Sequence, residues 1–154
     1  MQERVKNWLG RKHEGVTALI GVETWVGKAV DHTILELIKM RVSQINGCAF
    51  CLHMHSADAL KAGESVARLV LLSAWEESAL YTPRERAALA WAEALTRVAD
   101  THAPDAAWEA VRAHFSEDEA IALSIAIGMI NTWNRLAIGF RVQHPADKAT
   151  AAAA

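Results

Sequence analysis

Apolar residues recur every three or four positions along nearly the whole chain, the period of amphipathic helices, and the breaks between runs carry helix punctuation. Val16, Leu19, Ile20, Val26 and Val30 fall roughly on one side of a helix predicted from Glu14 to Ala29. Asp31 suits the N-cap of a second helix, in which Leu35, Ile38, Val42 and Ile45 form a stripe. Asn46-Gly47 ends it, since both residues tolerate positive φ. A third helix is predicted from Cys48 to Lys61-Ala62-Gly63, and a shorter fourth from Glu64 to about Leu72. In Thr82-Pro83-Arg84-Glu85 an N-cap, a proline at the first helical position and a capping-box glutamate open a helix to about Val98. Pro104 opens another to about Phe115, and the capping box Ser116-Glu117-Asp118-Glu119 starts a long apolar helix reaching Phe140.

The pattern predicts an all-α bundle, and eight Gly and three Pro leave little room for the dense turns of an all-β domain. At 154 residues the chain is one domain, 1–148, with the alanine-rich 149–154 expected as a frayed tail. With 52 % hydrophobic residues it is not a disordered protein. Sixteen Lys and Arg against 18 Asp and Glu, with no basic cluster, argue against nucleic-acid binding. Ile121 to Ile130, the most apolar stretch, is short and interrupted by Ser124 and Gly128, so no membrane span is expected. Met1 to Arg11 is polar and charged and has no apolar run of signal-peptide length. A cytoplasmic protein is expected.

The two cysteines, Cys48 and Cys51, are three positions apart. A bridge between them closes a tiny loop and staples nothing distant, so the pair points to redox or metal chemistry. The break at Asn46-Gly47 puts Cys48 at or near a helix N-cap and Cys51 in the first turn, where unpaired N–H groups and the positive dipole end favour a thiolate. His55 lies four residues after Cys51, on the same helix face, where its imidazole can take or return the thiol proton. His53 lies about 200° around the helix from Cys51 and points elsewhere. If the second and third helices fold back antiparallel, Glu36 falls opposite residue 57 or 58, within a turn of His55. Apolar neighbours on both sides, Ile34, Leu35, Leu37 and Ile38, predict a partly buried carboxylate, which needs a partner. Glu36, His55 and Cys51 then form a relay in which the carboxylate orients the imidazole and the imidazole adjusts the thiol.

Glu36, eleven residues, Cys48, two residues, Cys51, three residues and His55 together resemble the core motif of the AhpD-type alkylhydroperoxidases of the carboxymuconolactone decarboxylase superfamily. Arg41 to Cys48 is similar to the small stand-alone members, and Ala90 to Leu95 and Asn131 to Arg135 extend the likeness over most of residues 15 to 142. The resemblance implies an AhpD-like helical bundle built around a helix-turn-helix that carries the cysteine pair, assembled as a homo-trimer or homo-hexamer. It implies a peroxidase cycle needing no haem or flavin: Cys51 attacks a hydroperoxide, Cys48 resolves the sulfenic acid, Glu36 and His55 relay protons, and a dithiol or lipoyl-bearing partner returns the electrons. Phe50 stands where the best-studied type of member has a histidine, a departure that bears on the relay. The decarboxylase branch lacks the cysteine pair, so Cys48 and Cys51 argue against that activity.

Two other readings use the same residues. The pair can serve a redox-sensing or protein-binding module without peroxidase turnover, or Cys48, Cys51, His53 and His55 can offer sulfur and nitrogen to a structural zinc. Zinc ranks lower, because its ligands usually come from two separated segments and His53 and His55 cannot both turn toward Cys51. His13, His32, His102, His114 and His144 have no companion at useful spacing, and surface or capping roles suffice for them. The six tryptophans are expected in the core or at subunit interfaces. Asn131, Asn134 and Arg135, in an otherwise apolar helix, can line the pocket or hydrogen-bond across an interface, and a structural role is expected of them because buried polar groups in helices generally satisfy one another. Glu76-Glu77 and Arg84-Glu85-Arg86 read as a solvated face.

Overall fold

A computed structural model describes residues 2–146, and among these the secondary structure is entirely helical. The helices are α1 (Glu14–Ala29), α2 (His32–Asn46), α3 (Ala49–Lys61), α4 (Val66–Leu71), α5 (Pro83–Thr96), α6 (Val98–Thr101), α7 (Asp105–Arg112) and α8 (Glu117–Phe140). Short 3₁₀ segments precede α1 and follow α4, at Leu9–Arg11 and Leu72–Glu77. The expected tail at 149–154 lies outside the described residues.

Side-chain caps set the main boundaries. Asp31 accepts the N–H of Ile34 to start α2, and Thr82 and Ser116 form complete capping boxes with Glu85 and Glu119 to start α5 and α8. Gly47 ends α2 at φ 68°, its N–H bonding back to the last turn of that helix. Three boundaries differ from the sequence expectation. α4 begins at Val66 rather than Glu64, because Ser65 caps it through the N–H of Arg68. α5 stops at Thr96, since Arg97 leaves helical backbone geometry before the separate turn of α6. α7 ends at Arg112, three residues short of Phe115.

α2 is the central helix and packs against α3, α5 and α8, while α1 lies along α8 and α7 covers α5. Its predicted stripe is buried at Leu35, Ile38 and Val42, in a core shared with α1, α5 and α8, and Ile45 is half-buried. Leu37 and Met40 on its other side belong to a second core with Leu72, Trp75, Tyr81 and Leu89. A helix buried on both sides has few positions left for solvent, so Glu36, Lys39 and Ser43 are buried with the apolar residues. α1 is less embedded than expected: Val26 alone is fully buried, and Ile20 is exposed.

One surface expectation is corrected. Glu85 is buried and paired with Arg68 at 2.7 Å, and Arg86 donates to the carbonyls of Trp75, Glu76 and Ser78, so this charged run clamps the 3₁₀ segment rather than facing water. The apolar Ile121–Ile130 stretch sits inside the 24-residue α8, which by length and composition is long enough to cross a membrane. Half of its most apolar window is buried inside the protein, and its Asn131 and Asn134 are spent on internal hydrogen bonds. Those contacts make it a core helix of the bundle.

Candidate functional site

Asn134, fully buried on α8, donates to Ser43 Oγ at 3.0 Å, and Asn46 donates to Asn134 and Asn131 at 2.9 and 3.0 Å. These bonds pin the last turn of α2 to α8, so the reversal at Gly47 is held where the cysteine segment begins. Asn131 and Asn134 therefore have the structural role expected of them.

Cys48 is the N-cap of α3, and its sulfur accepts the N–H of Cys51 at 3.4 Å. Cys51 follows in the first turn, and the two are joined as a disulfide with Cα atoms 5.3 Å apart. Both are buried against Ala137 of α8, with Phe50 and Val142 around them. Reduced, the pair would place a thiolate at the positive end of α3. One turn further along, buried His55 meets Glu36 across the α2–α3 contact, Nδ1 to Oε2 at 3.0 Å. The fold thus brings the four sequence candidates, Glu36, Cys48, Cys51 and His55, into one place.

Burial pushes the Glu36 carboxyl upward, but its hydrogen bond to His55, the charge of that imidazole, and Lys39 outweigh burial and hold it below the usual carboxylate range. Glu36 is therefore ionised at neutral pH and can only accept, so Nδ1 carries the proton and Nε2 is the nitrogen left for exchange. Cys51 and His55 line one apolar cavity of about 200 Å³, together with Trp8, Ile20, Met54 and Trp133. The segment before α1 closes part of it. Trp8 is buried edge-on against Phe140 and tilted against Trp133, and Arg4 bonds the carbonyls of Gly139 and Phe140.

Sequence reasoning missed Glu23, Lys39 and Trp133. Lys39 Nζ lies 2.8 Å from Glu23 and 3.5 Å from Glu36, and Glu23 also accepts the indole N–H of Trp133 at 2.9 Å. Charges of alternating sign thus run from the cavity wall at Glu23 through Lys39 to Glu36, which holds His55. Lys39 is three residues after Glu36, a spacing that was available in the sequence as a signal; Glu23 and Trp133 are 110 residues apart and had none. His53 does not line the cavity shared by Cys51 and His55, as its place on the helix predicts, but it stacks on His144 with ring centroids 5.3 Å apart, so His144 has a companion after all. His13 caps α1 through the N–H of Gly15. Among the described residues no three His, Cys, Asp or Glu side chains gather as a metal site.

The sequence model of the carboxymuconolactone decarboxylase family matches residues 13–94. The Bacillus subtilis protein YdfG is 41 % identical over 126 residues, which cover 81 % of this chain and 86 % of that one. The crystal structure of an Agrobacterium tumefaciens protein of unknown function, with a suggested antioxidant-defence (AhpD) role, is 46 % identical; it covers 94 % of this chain and 99 % of its own, with a TM-score of 0.89. The debrominase Bmp8 shares the fold at a TM-score of 0.77 and 21 % identity, over 92 % of this chain and 77 % of its own.

Proposed function

The chain belongs to the carboxymuconolactone decarboxylase family, and from that premise we propose that it is an AhpD-like thiol peroxidase working through Cys48 and Cys51. The observation that carries this reading is the shared cavity of Cys51 and His55, with the imidazole held from behind by the ionised Glu36. In the reduced protein His55 Nε2 takes the Cys51 proton, and Glu36 stabilises the imidazolium. The Cys51 thiolate attacks the terminal oxygen of a hydroperoxide. The O–O bond breaks, the leaving alkoxide takes a proton from His55, and Cys51 becomes a sulfenic acid. Cys48 then attacks the Cys51 sulfur and expels hydroxide, which leaves as water, giving the disulfide. Two thiols and one hydroperoxide yield a disulfide, an alcohol and water; a cytoplasmic dithiol or lipoyl-bearing partner restores the thiols.

With Cys48 at the N-cap and Cys51 in the first turn of α3 the cycle is local, so the bundle need not open. Residues 1–148 act as one domain in this reading, and the exposed Val22 and Trp25 of α1 favour a homo-oligomer. Steady-state hydroperoxide consumption with a dithiol reductant is the test. Wild type turns over, Cys51→Ser does not, and Cys48→Ser is oxidised once without cycling. Equal rates in all three proteins would refute the assignment, and a single slow oxidation of wild type would instead mark a redox sensor.

A further inference from the structure

The two cysteines open onto different cavities. Cys51 lines the apolar cavity with His55, and Cys48 does not. Cys48 lines another cavity, of about 210 Å³, with Arg141, Gln143 and His144, and Cys51 does not reach it. Phe50 and Ala137 line both and form the wall between them. The chemistry of the two linings differs as well. Apart from Cys51 and His55, the ionisable group on the apolar side is the carboxylate of Glu23, whereas the Cys48 side carries Arg141 and His144 and no carboxylate. Glu3 reaches the Gln143 N–H at 3.5 Å but is not part of the lining.

Arg141 is the C-cap of α8, held at φ 56° with its N–H returned to Ala137 and Ile138. A cation is favourable at a helix C-terminus, and this placement also sets one in the lining of the Cys48 cavity. Among the described residues its side chain has no carboxylate partner.

We propose that the Cys48 cavity is the entry for the reductant, and that it takes a small dithiol bearing an anionic group. The inference rests on the dithiol cycle above and adds where the electrons arrive. One thiolate of the reductant attacks Cys48 Sγ and forms a mixed disulfide. The Cys48–Cys51 bond breaks, its electron pair leaves on Cys51, and the proton given up by the first reductant thiol reaches that sulfur by way of solvent and His55, which favours Cys51 as the leaving group. The second thiol of the reductant attacks its own sulfur in the mixed disulfide, closes a cyclic disulfide and releases Cys48, which takes up the reductant's remaining proton. Two electrons and two protons pass from the reductant to the pair. Arg141 attracts the anion and favours the attacking thiolate. Hydroperoxide and reductant thus reach one disulfide from opposite sides of the Phe50 wall.

The test uses the oxidised full chain and never involves peroxide, so its outcome is independent of whether the peroxidase reading survives. Reduction is followed by stopped flow with dihydrolipoate, which is anionic, and dihydrolipoamide, which is neutral. Wild type should favour dihydrolipoate by about two- to fivefold at low salt, the range an exposed charge pair supports. Arg141→Gln should bring the ratio close to one, by slowing reduction with dihydrolipoate more than with dihydrolipoamide, and Arg141→Lys should restore it. In parallel, oxidised protein treated with mercaptoacetate, quenched in acid and alkylated, should carry the mixed disulfide on Cys48 by fragment-ion mass spectrometry. A mixed disulfide on Cys51, or a dihydrolipoate advantage that is absent or survives Arg141→Gln, overturns the proposal.

Discussion

Replacing Glu36 by glutamine removes one charge from the relay while keeping its shape. The amide oxygen of the new side chain can still accept from His55 Nδ1, so the 3.0 Å contact persists as a neutral hydrogen bond instead of a charge-assisted one. Hydrogen bonds to charged groups contribute about 1.5–3 kcal/mol and neutral ones about 0.5–1.5, a difference of roughly 1–1.5 kcal/mol. That difference falls on the imidazolium formed when Cys51 gives up its proton, so Glu36→Gln should slow oxidation about tenfold. Lys39 keeps Glu23 at 2.8 Å and is not left without a partner, so the stability loss should be about 1–2 kcal/mol rather than the several expected when a buried ion loses its only counterion. The assay is stopped-flow tryptophan fluorescence of the reduced protein mixed with cumene hydroperoxide, beside a urea melt of the same sample. A folded Glu36→Gln protein oxidised at the wild-type rate would refute the relay.

Three further outcomes follow from other parts of the structure. Asn134→Ala should lose about 2–4 kcal/mol in urea unfolding, because it removes one buried and one partly buried hydrogen bond and strands the Ser43 hydroxyl; a loss below about half a kcal/mol would contradict the pinning of α2 to α8. The Glu36, Glu85 and Glu93 carboxyls are each pushed up by burial but held below the usual range by His55, Arg68, and Trp75 with Arg41, respectively. Their unfolded forms therefore bind protons first: the stability they add is complete above the ordinary glutamate value of about 4.3 and drains away as pH falls through the folded values. Tm should hold from neutral pH to about pH 5 and then drop, and a Tm that rises on acidification would show the sign to be wrong. Trp8→Ala enlarges the apolar cavity and loosens the segment before α1, so KM for cumene hydroperoxide should rise several-fold while the rate with hydrogen peroxide changes little; equal effects on both would remove Trp8 from the substrate wall.

Most helix ends made by a side chain or a glycine were legible, the start of α4 at its Ser65 cap excepted. Thr82, Ser116 and Asp31 cap their own helices through neighbours three residues away, and Gly47 turns the chain with its own backbone, so the signals are local in the sequence. The antiparallel return about Gly47 then made Glu36 and His55 neighbours by simple register, since 19 residues and one tight turn leave little freedom. Periodicity says which face of a helix is apolar and not which helix covers it. Burial of α2 on both sides, which encloses Lys39, was therefore hidden, as were the Glu23–Trp133 contact and the His53–His144 stack, each made between distant segments. The charged run at Arg84-Glu85-Arg86 misled for a related reason: its long side chains reach back to Arg68 and to carbonyls of the 3₁₀ segment, which composition alone counts as surface.

The identity of the attacking sulfur underlies the whole cycle, and trapping its sulfenic acid reads that identity out. Reduced Cys48→Ser protein is given one equivalent of cumene hydroperoxide with dimedone present, and the labelled residue is read by mass spectrometry, beside Cys51→Ser treated in the same way. Stoichiometric label on Cys51 in the first protein and none on Cys48 in the second is the expected result. Label on Cys48 in the second at a comparable rate, or an unlabelled Cys51 in the first, would contradict the assignment.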